Sequence, residues 1–123
     1  MLTTRPKPHE TAPLWFLKLA TGVLVFVLIL VHIIVNHLVA TGGLMTYTDV
    51  IHYLSNPWIV VMESAFLIIV VIHALLGTRS ILLDLNPGPR LVRVMDIFFL
   101  LLGAGAIIYG LALFRIILTR ATG

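Results

Sequence analysis

Residues 15–40 read WFLKLATGVLVFVLILVHIIVNHLVA, and after Lys18 no formally charged side chain appears until Asp49. A bilayer's hydrocarbon core, about 30 Å thick, takes about 20 apolar residues at 1.5 Å rise each, so this stretch crosses it with room for tilt. A cleaved signal peptide would have an apolar region of only about 7 to 15 residues and a small-residue cleavage pattern soon after it. The segment is therefore expected to be a permanent span. Upstream, residues 1–14 (MLTTRPKPHETAPL) mix Pro, charge and His with no apolar periodicity, and read as an extended, water-exposed lead. Downstream, Thr41-Gly42-Gly43 ends the span, and a polar connection runs through Tyr47, Asp49, His52 and Asn56-Pro57.

Pro57 suits the first turn of a second helix, expected over residues 58–83 and stopped by Asn86-Pro87-Gly88-Pro89. A third apolar run covers residues 94–118. The expected fold is an all-α membrane protein with three transmembrane helices in residues 15–119, followed by a short tail at 120–123. Short connections make consecutive helices antiparallel neighbours.

Composition agrees. Of 123 residues, 60% are hydrophobic and 11% charged, against about 45 to 50% and about 25% in an average soluble domain. Too few polar side chains remain to clothe a water-facing surface. The net charge is +3 with His neutral, but the basic residues form no stripe that would bind nucleic acid. Cys is absent, which excludes a disulfide, a thiolate zinc site, an iron–sulfur cluster or a thiol nucleophile on this chain. Metal chemistry must run through His. Arg5, Lys7, Lys18, Arg79, Arg90 and Arg93 fall on one side of the membrane, and only Arg115 and Arg120 on the other. The positive-inside rule then places the N-terminus in the cytoplasm and the C-terminus outside.

Ionisable groups inside a membrane are rare and mark sites by default. His73 lies ten residues from the inner end of its span, roughly 15 Å deep and so near mid-bilayer. Gly77, Ser80 and Asp84 fall within about 40° of its direction on the helix. A Gly one turn from the imidazole leaves a flat space of the kind a porphyrin needs, and neutral imidazole is a standard axial ligand of haem. Spacing alone leaves open an equal alternative, in which His73 hydrogen-bonds a neighbouring helix and Gly77 permits close approach. In the first span, His32 and His37 point about 140° apart, so one is expected to bind and the other to pack. His32 shares its face with Asn36, and His37 with Ile33. His9 and His52 read as solvated.

Glu63, buried near the outer end of span two, is expected to be protonated or bonded to another subunit. Arg79 is expected to snorkel to headgroups or meet a haem propionate, with Asp84 and Lys18 at the same level. Gly103, Gly105 and Gly110 in span three read as helix-packing positions.

His73-x-x-x-Gly77 followed by Asp84 resembles the second-helix signature of the small D-type membrane anchors of succinate dehydrogenase, respiratory complex II. Ala20-Thr21-Gly22, then His32 and Asn36-His37, are similar to the first helix of D-type anchors in haem-bearing bacterial and archaeal complexes. Gly43-Leu-Met-Thr46-Tyr47 and Ile108-Tyr109-Gly110 extend the likeness over about residues 15–115.

The resemblance implies half of a heterodimeric haem-binding bundle in the cytoplasmic membrane of a bacterium or archaeon. Its implied partners are a sister anchor, an iron–sulfur subunit and a flavoprotein. The anchor has no catalytic residue of its own for succinate, and belongs to the complex as a non-catalytic subunit. His73 matches the second-helix ligand of haem b, and His32, with His37 as alternate, the first-helix ligand of members with two haems. Gly77 and Arg79 fall in the haem pocket, and Asp84 and Lys18 near the quinone site. The Tyr that follows the acidic residue in some members is Leu85 here, and the Arg at the start of their first helix is Leu19, next to Lys18. Rival readings are a fumarate reductase anchor, an unrelated b-type cytochrome, and a structural membrane subunit.

Overall fold

The computed structural model describes residues 9–39 and 45–123, with the side chain of Val39 excepted. All regular structure among them is helical: α1 (Ala12–Val39), α2 (Tyr47–Leu54), α3 (Pro57–Leu83) and α4 (Pro89–Ala121). Three of these, α1, α3 and α4, are long and apolar enough to cross a membrane. The three expected spans are thus present, with a short fourth helix in the connection between the first two. The Thr41-Gly42-Gly43 stop lies outside the described residues.

α3 is the middle of the bundle, packing against α1 on one flank and α4 on the other. Between apolar helices in lipid there is little hydrophobic driving force, so close packing must hold them. Glycine supplies that closeness between α3 and α4. A Cβ on Gly103 would stand 2.6 Å from Leu75 Cδ1, and one on Gly110 would collide with Leu67 Cδ2. Few side chains are buried within the chain, and large apolar residues along α1 and α4, among them Phe16, Phe26, Leu38, Leu100 and Ile108, are exposed. Lipid or another protein must cover them.

The ends of the helices follow local chemistry. Asn56 caps α3 by accepting from Trp58 N at 3.0 Å, with Pro57 in the first turn. At the other end Asp84 is the C-cap, and Asn86 takes a left-handed φ of 51°, which Asn tolerates better than most residues. Gly88 and Pro89 then start α4.

The lead differs from the sequence expectation where it is described. α1 already begins at Ala12, and Glu10 is buried rather than water-exposed. The reason is Lys18, whose Nζ donates to Glu10 Oε1 at 2.7 Å and to Ser80 Oγ at 2.9 Å. Shared by one ammonium, the acid and the hydroxyl draw the lead and α3 onto the start of α1.

α2 carries a capping box. Thr46 N donates to Asp49 Oδ2 at 2.8 Å, and Asp49 N donates to Thr46 Oγ1 at 3.3 Å. The Thr46 side chain, then the Thr46 backbone, hold the Asp49 carboxyl below its ordinary value of 3.8. A lowered carboxyl stabilises the fold above its unfolded value, and that contribution disappears as pH falls through the lowered folded value. Thr46→Ala is expected to cost α2 about 1 kcal/mol, read as faster amide exchange across Tyr47–Leu54. Acidification should lower the protection factors across α2 in the wild type, after correction for the intrinsic pH dependence of exchange, and much less in the variant. Equal acid sensitivity in both would show that the box does not hold the helix.

Candidate functional site

His73 faces α1. Its Nδ1 lies 3.2 Å from Thr21 Oγ1 and 3.3 Å from the Lys18 carbonyl. The carbonyl only accepts, and the Thr21 hydroxyl spends its proton on the Leu17 carbonyl at 2.8 Å. These acceptors favour the tautomer with the hydrogen on Nδ1 and the lone pair on Nε2. That is the tautomer a metal ligand needs, oriented through the nitrogen that does not bind. Thr21 is buried, which fixes the acceptor in place.

Two glycines make room around the ring. A Cβ on Gly22 would stand 3.1 Å from His73 Cε1, so only glycine lets α1 come this close without displacing the imidazole. One turn along α3, a Cβ on Gly77 would meet nothing within 4 Å. Gly77 thus leaves open space beside His73 on α3, of the kind that a flat macrocycle would need. The donor set and this space fit a haem held by one axial imidazole from this chain. Among the described residues no group of three or more His, Asp or Glu side chains that could hold a metal ion is present.

The remaining site residues divide. Lys18 is engaged by Glu10 and Ser80. Arg79 is bonded within the chain, to α4. Its Nε donates to Asp96 Oδ1 at 2.6 Å and its Nη2 to Asp96 Oδ2 at 3.2 Å, with a further 3.3 Å contact from Nη2 to the His9 carbonyl. This forked pair ties α3 to α4. Sequence reasoning misses Asp96, although it and Arg79 lie at comparable distances from the Asn86-Pro87 turn and so at one depth. Asp84 is exposed at its C-cap. A cavity of about 470 Å³ between α3 and α4, lined by Leu75, Arg79, Asp96 and Phe99 among others, does not include His73.

A second polar cluster joins α1, α2 and α3. His32 Nδ1 lies 2.9 and 3.0 Å from the two carboxylate oxygens of Glu63. Tyr53 donates its hydroxyl to Glu63 Oε1. Asn36 Nδ2 donates to the His32 carbonyl at 2.7 Å and to the Tyr53 oxygen at 3.1 Å. The Glu63 carboxyl therefore has hydrogen-bond partners within the chain. Burial first, and then Glu63, push the Tyr53 hydroxyl well above its usual range. His37 is exposed on another side of α1, so the structure brings His32, and not His37, into the polar network. Sequence reasoning misses Tyr53 because its segment, too short and polar for a span, reads as a connection. The Thr46-x-x-Asp49 cap is the signal that could find it.

Comparison with known proteins agrees with this architecture. Residues 3–113 match the family described as succinate dehydrogenase/fumarate reductase transmembrane subunit. The chain is 31% identical over 99 residues to the succinate dehydrogenase hydrophobic membrane anchor subunit of Archaeoglobus fulgidus, covering 80% of this chain and 84% of that one. No solved structure matches significantly. Three membrane-length helices, and a sequence match that runs through nearly all of them, place the chain in the family of transmembrane anchor subunits of succinate dehydrogenases and fumarate reductases.

Proposed function

We propose that this anchor binds haem b through Nε2 of His73 and helps form the quinone site of a succinate:quinone oxidoreductase. The observation that carries the reading is the contact of His73 Nδ1 with Thr21 Oγ1 and the Lys18 carbonyl on α1, which leaves Nε2 as the ligand atom, deep in the apolar layer. Bound there, the haem would relay electrons between the iron–sulfur subunit and quinone. Gly77 leaves space for the ring, and Arg79 fixes α3 to α4 through Asp96. Lys18, with Ser80 beside it, and Asp84 supply polar groups for the quinone vicinity. The sister anchor supplies the opposite axial ligand and covers exposed apolar surface of this chain.

The end bearing Lys18, Arg79, Arg90 and Arg93 faces the cytoplasm, where the iron–sulfur subunit and flavoprotein dock. The membrane is the cytoplasmic membrane of a bacterium or archaeon. Either direction of electron flow, succinate oxidation or fumarate reduction, uses the same anchor chemistry.

Affinity purification of the tagged chain from its native membranes tests the assembly. A flavoprotein, an iron–sulfur protein and a second small hydrophobic chain are expected to co-purify in constant ratio, with a reduced-minus-oxidised b-haem spectrum. Recovery of the chain with a haem but without a flavoprotein would indicate a different cytochrome.

A further inference from the structure

The cavity between α3 and α4 has no part in the haem reading. Its walls are apolar, with Ile72 and Leu75 of α3 and Leu100, Ala104 and Ile107 of α4 among them, and the only charged residues that line it are Arg79 and Asp96. Those two lie at one end. From Asp96 to Ile107 is eleven residues, about 16 Å along α4, and half of a hydrocarbon core about 30 Å thick is about 15 Å. The apolar part thus has the depth of one leaflet. Leu100, on its wall, is 72% exposed, so the cavity is reached from the bilayer along α4. Around α3, Leu75 and Arg79 stand about 160° and 120° from His73, which puts the opening on a different side from the imidazole.

The charged end is built to receive an anion. Arg79, whose side chain is only 11% exposed, spends Nε and Nη2 on Asp96 and the His9 carbonyl, and its Nη1 donates to no described residue. Arg93 lies within about 20° of Leu100 and of Ala104 on α4, and so stands directly beyond the mouth. It is exposed, with no carboxylate in ion-pairing reach among the described residues. With Arg90 beside it, the guanidinium groups of Arg79, Arg90 and Arg93 outnumber the carboxylates of Asp84 and Asp96 at this end.

We propose that the groove is a binding site for one anionic phospholipid. One hydrocarbon chain lies between α3 and α4 down to the level of Ile107, and the phosphate meets Arg93 and Arg79 Nη1. A neighbouring helix, about 10 Å across with its side chains, is too thick to enter a cavity of about 470 Å³, whereas a single chain is not. A quinone has the tail for the groove but an uncharged head, which makes no use of an excess of guanidinium at the mouth.

Native mass spectrometry of the purified complex, titrated in one detergent with phosphatidylglycerol and separately with phosphatidylcholine, tests this. The wild type is expected to keep one copy of phosphatidylglycerol under activation that strips the others. Ala104→Trp fills the groove and should remove that copy whatever its headgroup. Arg93→Gln should keep a lipid but reduce the preference for phosphatidylglycerol over phosphatidylcholine about fivefold. An unchanged lipid count in Ala104→Trp overturns the proposal, as does loss of quinone or of the second small hydrophobic chain from that variant with its phospholipid intact. If Ala104→Trp does not assemble, Arg93→Gln decides: an unaltered headgroup preference overturns the proposal. The b-haem spectrum of Arg93→Gln should match the wild type, so the outcome is independent of the His73 reading.

Discussion

His73→Ala is expected to abolish the b-haem α band assigned to this ring, with the chain still inserted and the three spans still helical. The loss should be essentially complete, because the variant removes the ligand atom itself. No neighbour can substitute. The groups around the ring are the Thr21 hydroxyl, the Lys18 carbonyl and Gly22, none of which is a competent axial ligand of a b-type haem. Structural damage should be small, since the ring already packs against a glycine, and the two bonds it forfeits are to Thr21, which keeps its own bond to the Leu17 carbonyl, and to a helix carbonyl. Circular dichroism at wild-type amplitude with a missing band is the expected pair of readings. A band of unchanged height and position would mean that the iron is held elsewhere.

The second large effect is expected at Gly22, which touches no iron. A Cβ there would stand 3.1 Å from His73 Cε1, so Gly22→Ala asks the ring to give by a few tenths of an ångström. Gly22→Val adds two further carbons beyond that Cβ. Overpacking of this kind costs about 1 to 3 kcal/mol, and here it is relieved by pushing the imidazole off Thr21 and the Lys18 carbonyl. The prediction is graded: a weakened, shifted b-haem band in Gly22→Ala, and loss in Gly22→Val although His73 is still present. Gly77→Ala provides the contrast. With nothing within 4 Å of the place its methyl would take, it should leave the chain unharmed, or stabilise α3 by up to about 1 kcal/mol, while still weakening haem retention. If Gly22→Val retains a normal spectrum, the α1–α3 approach does not set the ring's position.

The spans are legible in the sequence because crossing lipid imposes a requirement on composition and length that side-chain detail cannot override. Helix rotation is not. Apolar residues surround α3 on all sides of its few polar positions, so its hydropathy carries no signal of which side meets α1 and which meets α4. That is why the sequence does not reveal the contacts of Arg79 with Asp96, or of Glu63 with Tyr53 and His32. Depth and Gly77 mark His73 as a candidate in the sequence, but the groups that meet its Nδ1 become visible only across helices. Between His32 and His37 the angular argument gives only that they diverge. Contacts across helices show which one enters the bundle.

Since α1 and α4 flank α3 and their outer faces are bare of protein, the chain has almost no interior of its own. Its thermal unfolding in isolation should therefore track the detergent's headgroup and chain length more closely than any internal substitution. Comparisons of variants by melting temperature will be meaningful only in one fixed micelle or in the native assembly.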